Sequence, residues 1–204
     1  MTDFDQHAAA WDANPYRIER ARVIAQGIQS AVPLTQQMSA FEYGCGTGLL
    51  SFALQSYLGQ ITLADNSSGM LAVLDEKIAA ARIHNMVSLK VDLSTDPLPP
   101  VRVQLIYTLM TLHHIRDFIK VLQAFYALLD GSGYLCVADL DTEDGSFHGA
   151  ENLTVHKGFD RSEFGNIVRQ TGFHNVQFST IFQSSKVVGT ETKHFPVFLM
   201  VAEK

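Results

Sequence analysis

Cysteine is nearly absent from this 204-residue chain. The two present, Cys45 and Cys136, are too few and too far apart to set a disulfide framework or a zinc-ligand cluster. Basic residues are also scarce. There are 15 Lys and Arg against 21 Asp and Glu, and a net charge of −6 argues against broad binding to nucleic-acid phosphates. No apolar run approaches the roughly 18 residues of a membrane span. The stretch MTDFDQHAAAWDA at the N-terminus is acidic and polar and lacks the layout of a secretion signal. No internal repeat or low-complexity linker divides the chain. What is abundant is core material, 47% hydrophobic against 18% charged residues. This fits one soluble domain spanning 1–204, expected in the cytoplasm, and leaves the oligomeric state open.

Periodicity supplies the elements. Asn14 and Pro15 read as the cap and first position of a helix over about 15 to 31, with Ile18, Ala21, Ala25 and Ile28 on one stripe. A short strand at 39–43 enters a glycine turn, and Leu50, Ala53, Leu54 and Tyr57 mark the next helix. Strands are expected at 61–65, 86–93, 103–110 and 134–140, and helices at 67–83 and from Phe118 to Leu129. The second of these helices is expected to close at Gly131-Ser132-Gly133. In the first, Met70, Leu74, Ile78 and Ala81 are expected to face inward. VQLIYTLM is apolar throughout, as a strand buried on both faces of a parallel sheet must be. Asp160 and Glu163 resemble a capping box for a helix that stops near Gly172. Two further strand-like runs, 175–188 and 194–204, are joined by GTETK as a hairpin. Strand and helix alternate about five times. The fold class predicted is therefore α/β, a doubly wound, mostly parallel sheet with helices on both faces and a C-terminal antiparallel hairpin. Residues 1–35 would form a helical cap and 142–158 an irregular insertion.

The stretch FEYGCGTGLLSFAL carries the strongest signal. Glycine in a strand-to-helix turn permits positive φ or close approach to the main chain. Gly44, Gly46 and Gly48 spell G-x-G-x-G, whereas the dinucleotide fingerprint is G-x-G-x-x-G; position 49 is Leu. Asp65 ends the second strand, where a carboxylate can accept from both hydroxyls of a ribose. Together the two features point to a nucleoside-like ligand at the carboxyl ends of the strands.

EYGCGTG, ADNSSGML, VDL, TLMTLHHI and the terminal FPVFLMVAEK together resemble the seven-stranded class I S-adenosylmethionine-dependent methyltransferases, closest to their small-molecule branch. The resemblance covers about Phe41 to Lys204. It implies that the backbone at Gly44, Gly46 and Gly48 passes the methionine part of S-adenosylmethionine, with Glu42 near its amino group. Asp65 would hold the ribose, Asn66 would lie beside the adenine, Asp92 would accept from the adenine amino group, and the Leu93 amide would meet a ring nitrogen. Leu109 and Met110 would border the sulfonium. It also accounts for the terminal hairpin, since the family's last strand enters the sheet antiparallel.

The remaining readings concern the methyl acceptor. Candidate proton acceptors are His113, His114, His148 and His156, because histidine titrates near neutral pH. One of the adjacent pair His113 and His114 is expected to point into the cleft and the other to pack. Phe147, His148 and His156, in the long segment after the fifth strand, are candidates for substrate contact. Trp11, the one tryptophan, is read as a lid residue. The NPYR at 14–17 lies in the wrong place to match the NPPY of amine-directed nucleic-acid methyltransferases. The acceptor is expected to be a small molecule, with no nucleic acid, membrane or metal involved. Two other readings stand beside this one. The first is a cofactor-binding regulatory or partner protein without catalysis. The second is a nicotinamide-dependent oxidoreductase, which the glycine spacing and the terminal hairpin oppose.

Overall fold

Neighbouring side chains along the central strands serve opposite faces of one sheet, and this alternation organises the molecule. The structure is a computed structural model describing residues 3–148 and 156–204. The strands are β1 (Ala40–Tyr43), β2 (Ile61–Asp65), β3 (Met86–Lys90), β4 (Val103–Leu109), β5 (Leu129–Leu140), β6 (His174–Val188) and β7 (Glu191–Glu203). They lie in the order β3-β2-β1-β4-β5-β7-β6. The ladders from β3 to β5 are parallel, and β7 runs antiparallel to both of its neighbours. This is the doubly wound, mostly parallel sheet with a terminal hairpin that the sequence predicts.

Six α-helices cover the sheet: α1 (Asp3–His7), α2 (Pro15–Ala31), α3 (Leu49–Leu54), α4 (Ser68–Ala81), α5 (Phe118–Leu128) and α6 (Arg161–Gln170). On one face Ile24 and Ile28 of α2, Leu54 of α3 and Leu74 of α4 join Ala40, Leu63, Leu105 and Tyr107 in one apolar cluster. On the other, Val121 and Phe125 of α5 and Phe164 of α6 join Phe41, Ile106, Val137 and Phe198. The ends of the helices follow their caps. Asn14 accepts from the Tyr16 N–H ahead of α2, and Asp160 accepts from Ser162 and Glu163 at the start of α6.

The structure corrects three details. Gly131 and Gly133 close no turn after α5. β5 already begins at Leu129, and its ladder with β4 jumps from Val103↔Leu129 to Leu105↔Tyr134, so the glycines occupy an irregularity inside the strand. The hairpin turn is shorter than GTETK. Glu191 pairs with Val188, and Lys193 with Lys186. Ala81 is exposed, because α4 ends there. Of the insertion at 142–158, residues 149–155 lie outside the described residues.

The sheet order reverses between β1 and β4, and the strands beside that reversal end at one edge. A crevice at the carboxyl ends of strands near such a reversal is where ligands bind in open α/β sheets. Tyr43, Asp65 and Leu109 are the last residues of β1, β2 and β4, and Asp139 stands one residue before the end of β5.

Phe164 anchors α6 to the sheet. Its ring lies 4.9 Å from Phe159, 5.8 Å from Phe118 and 5.9 Å from Phe198, and it is 1% exposed. Phe164→Ala is expected to lower unfolding free energy by about 3–5 kcal/mol in urea titration, and Phe164→Leu by clearly less.

Candidate functional site

The glycine turn after β1 is shaped by two different demands. Gly44 has φ +67° and a Cβ there would strike the Thr111 side chain; Gly48 has φ +81° and a Cβ there would stand 2.6 Å from Leu74 Cδ1. These two glycines answer to the protein's own packing. Gly46, at φ +53°, is less crowded: a Cβ there would meet Trp11 Nε1 at 3.8 Å and Met70 Sδ at 3.9 Å, ordinary contact distances on the cavity side. Of the three, Gly46 alone has no clash at its Cβ position.

Asp65 holds the turn in place. Its Oδ2 accepts the Gly46 N–H and its Oδ1 the Ser67 N–H, each at 2.8 Å. Burial pushes the Asp65 carboxyl up from its ordinary value, against the pull of hydrogen bonds from Ser67, Gly46 and Asn66. Three of the carboxylate's roughly four lone-pair sites are thus engaged, and one remains for an incoming hydroxyl. Asn66 Nδ2 lies 3.4 Å from Asp92 Oδ2, and Asp92 Oδ1 accepts from the Ser94 N–H at 2.9 Å and its Oγ at 2.6 Å. Leu93 differs from expectation. It is 1% exposed, and its N–H is already donated to Tyr43 Oη at 3.1 Å, which takes it from any ligand.

Glu42 is buried beside the turn. It accepts from Ser51 Oγ, which lies 2.6 Å from Tyr107 Oη. Burial pushes the Glu42 carboxyl up to about 8; the Asp65 charge adds to this and the Ser51 hydrogen bonds oppose it.

The N-terminal segment covers this edge. Asp5 Oδ1 accepts from Ser67 Oγ at 2.6 Å and from the Gly69 N–H at 2.9 Å. Asp12 accepts from Thr47 Oγ1 at 2.5 Å and from Lys77 Nζ at 2.6 Å. Between these anchors Trp11 lies beneath the Arg17 guanidinium, 3.6 Å from its ring centre. Phe4 stands edge-on to both Trp11 and His114.

The far wall is built from histidine and cations. His113 is fully buried, and its Nδ1 lies 2.5 Å from Asp139 Oδ1. Burial alone would raise the Asp139 carboxyl, but the His113 ring and the N–H groups of Leu140 and His113 hold it below its ordinary value. His114 and His148 stack around His113 at 4.1 and 4.9 Å between ring centres. Burial, reinforced by the neighbouring His113, pushes His114 down to about 3 and His148 to about 4. Arg20 Nε is sealed from solvent without a partner, and burial lowers the guanidinium to about 10. Lys186 donates to the Phe147 carbonyl at 2.8 Å.

These residues enclose one cavity of about 850 Å³. Trp11, Glu42, Gly44, Gly46, Asp65, Asn66, Asp92, Leu109, His114, Phe147 and His148, all named from the sequence, line it together with His113 and Met110. Gly48, Leu93 and His156 do not. His156 Nε2 lies 3.0 Å from the Ile115 carbonyl, and its N–H is donated to the His113 carbonyl, so it braces the wall from behind. The sequence reading missed Asp139, Arg20 and Lys186. Asp139 is the one acidic residue in YLCVADL, a signal that was available; nothing local marks the other two. Three histidines, His113, His114 and His148, meet here although 34 positions separate His114 from His148.

A family profile described as a methyltransferase domain matches residues 40–133. An uncharacterized methyltransferase of Schizosaccharomyces pombe is 30% identical over 155 residues, 69% of this chain and 55% of that protein. The chain thus spans about half the length of this curated relative. A solved S-adenosylmethionine-dependent methyltransferase from Aquifex aeolicus superposes with a TM-score of 0.67 at 20% identity, covering 93% of this chain and 98% of that one. Phosphoethanolamine N-methyltransferase 2 of Haemonchus contortus, solved with S-adenosyl-L-methionine, gives 0.73 at 14% identity, covering 100% of this chain and 60% of that one. At these identities the two structures establish a shared fold. Among the described residues no helix is long and apolar enough to cross a membrane.

Glu42 makes stability depend on pH in a defined sense. The native state keeps the Glu42 proton up to about pH 8, whereas the unfolded chain loses it near its ordinary value of 4.5. The stabilisation is complete below 4.5 and is lost as pH rises through about 8. The melting temperature of the native sequence relative to Glu42→Gln is therefore expected to fall between pH 5 and 8 and to level off above that. Scanning calorimetry of the two proteins across this range checks it.

Proposed function

We propose that this chain, whose residues 40–133 match a methyltransferase-domain profile and whose sheet has the fold of S-adenosylmethionine-dependent methyltransferases, transfers a methyl group from S-adenosylmethionine to a small-molecule acceptor. One observation carries the reading: Asp65 and the uncrowded side of Gly46 share a cavity wall directly beneath Trp11. The residues present fit the cofactor. Gly46 and Asp65 line the cavity, Asp65 has a lone-pair site left for a ribose hydroxyl, and Asn66 and Asp92 stand next along the wall for an adenine. Glu42 lies where an ammonium group would favour its ionised form.

When bound, S-adenosylmethionine supplies a sulfonium methyl group that is already electrophilic. The task left to the chain is to orient two reactants and keep water out. Positioning of this kind lowers barriers by about 7–11 kcal/mol. Leu109 and Met110, at the end of β4, border the place where the methyl group would stand. Met110 has φ +55°, a conformation rare outside glycine, and its backbone N–H is held by the Ala138 carbonyl. Beyond it Phe147, His114 and His148 wall the acceptor's side, and burial keeps the two imidazoles neutral and weakly basic.

Residues 1–35 act in this reading as a cap over the cofactor, and the described part of 142–158 as the acceptor-side wall of a single domain. The excess of acidic over basic residues supports a small-molecule acceptor over nucleic acid, and the reading takes the enzyme to be cytoplasmic, without a membrane partner. Calorimetric titration with S-adenosylhomocysteine tests it, with NADH as control. Binding of the first and not the second is expected. Loss of hydrogen bonds to a charged group costs about 1.5–3 kcal/mol, so Asp65→Asn should weaken S-adenosylhomocysteine binding about 10- to 100-fold. A folded protein that gives no heat with S-adenosylhomocysteine overturns the proposal.

A further inference from the structure

The buried end of the histidine wall leaves two nitrogens unexplained. His113 is 0% exposed, and Asp139 fixes its Nδ1 as the proton-bearing nitrogen at 2.5 Å. Its Nε2, sealed from solvent, has no hydrogen-bond partner, and neither does His148 Nε2. Buried polar atoms without a partner are rare and costly. Both histidines belong to one group: a ring nitrogen from each of His113, His114 and His148 lies within 4.8 Å of the other two.

We propose that His113, His114 and His148 form a binding site for a zinc-type divalent metal ion, with Asp139 as the carboxylate that orients His113. Two observations converge on it. A carboxylate hydrogen-bonded to the outer nitrogen of a histidine is the arrangement that presents the inner nitrogen to a metal. Three imidazoles are a ligand set suited to zinc, with a fourth position open. His148 is held in place by its neighbour: Phe147 packs on Phe195 at 5.2 Å, and its carbonyl accepts from Lys186. Zinc–nitrogen bonds of about 2.0–2.1 Å require the three nitrogens to draw together by about 1–2 Å. Side-chain rotation of His114 and His148, both only partly buried, provides that movement.

Arg20 and Lys186 line the same cavity and oppose a cation. Their presence selects an anionic fourth ligand, which compensates the ion and faces the acceptor's side. Resting on the methyl-transfer reading, this makes the acceptor a hydroxyl or thiol compound. Its O–H or S–H bond breaks on coordination and the proton passes to solvent. The resulting anion forms a bond to the sulfonium methyl carbon as the carbon–sulfur bond breaks, leaving S-adenosylhomocysteine.

Metal binding is measurable without donor or acceptor, so its outcome stands apart from the methyl-transfer reading. Protein stripped with chelator and then freed of it is titrated with Co²⁺ and Zn²⁺. The expected result is one ion per chain, visible d–d absorption from cobalt in a site of low coordination number, and displacement of cobalt by zinc. His148→Ala and His114→Ala should each weaken zinc at least 100-fold, and Asp139→Asn about 10- to 100-fold. His174→Ala, an exposed histidine on β6, should change nothing. Retained S-adenosylhomocysteine binding and far-ultraviolet dichroism in the His148→Ala protein show that it is folded. Absence of zinc binding tighter than micromolar overturns the proposal, as does binding that survives both His114→Ala and His148→Ala.

Discussion

The carboxyl edge of this sheet is organised by one carboxylate. Asp65 takes the N–H of Gly46 with one oxygen and that of Ser67 with the other, both at 2.8 Å. The first bond fixes the turn that leaves β1 for α3, and the second fixes the start of α4, where Ser67 caps the helix through the Met70 N–H. Two crossovers are thereby tied to the end of a single strand. Gly44 and Gly48 then fit because their neighbours come close, and Gly46 keeps its uncrowded side toward the cavity. Remove the carboxylate and two strand-to-helix connections lose their common reference point.

The cavity is electrically polarised, and the polarity matches a division of labour. Glu42, Asp65 and Asp92 stand at the β1–β2 end, where the cofactor's cationic and hydroxyl groups would lie. Arg20, Lys186 and the histidines stand at the other end, formed by α2, β6 and the residues after β4 and β5. Arg20, whose Nε is sealed from solvent, is a cation held where it is hard to solvate. Glu42 shows the same economy in reverse: burial makes it neutral until a positive group arrives.

The sequence made the cofactor half of this picture readable and the acceptor half much less so, for a physical reason. Strand alternation, the caps at Asn14 and Asp160 and the glycine turn are set by residues within a few positions of one another, and local spacing displays them. Asp65 belongs to this class, because a strand end is a local feature. The amide of Leu93 does not: Tyr43, 50 positions away, claims it. Likewise His148 reaches His113 only because β5 returns the chain to the end of β4. Asp139 reads as one more strand residue until the ladder sets it beside that histidine. Arg20 and Lys186 acquire meaning only when α2 packs across β6. His156, chosen for its residue type and its place in the long segment after the fifth strand, turns its ring to the Ile115 carbonyl.

The cover formed by Phe4, Trp11 and Arg17 sits over Gly46 but is fastened elsewhere. Asp5 is tied to Ser67 and Gly69 at the start of α4, and Asp12 to Thr47 and to Lys77 on α4. For a molecule resting on Gly46, release of these tethers would set the residence time, while the contacts inside the pocket would set the affinity. The two quantities could then drift independently as the sequence changes.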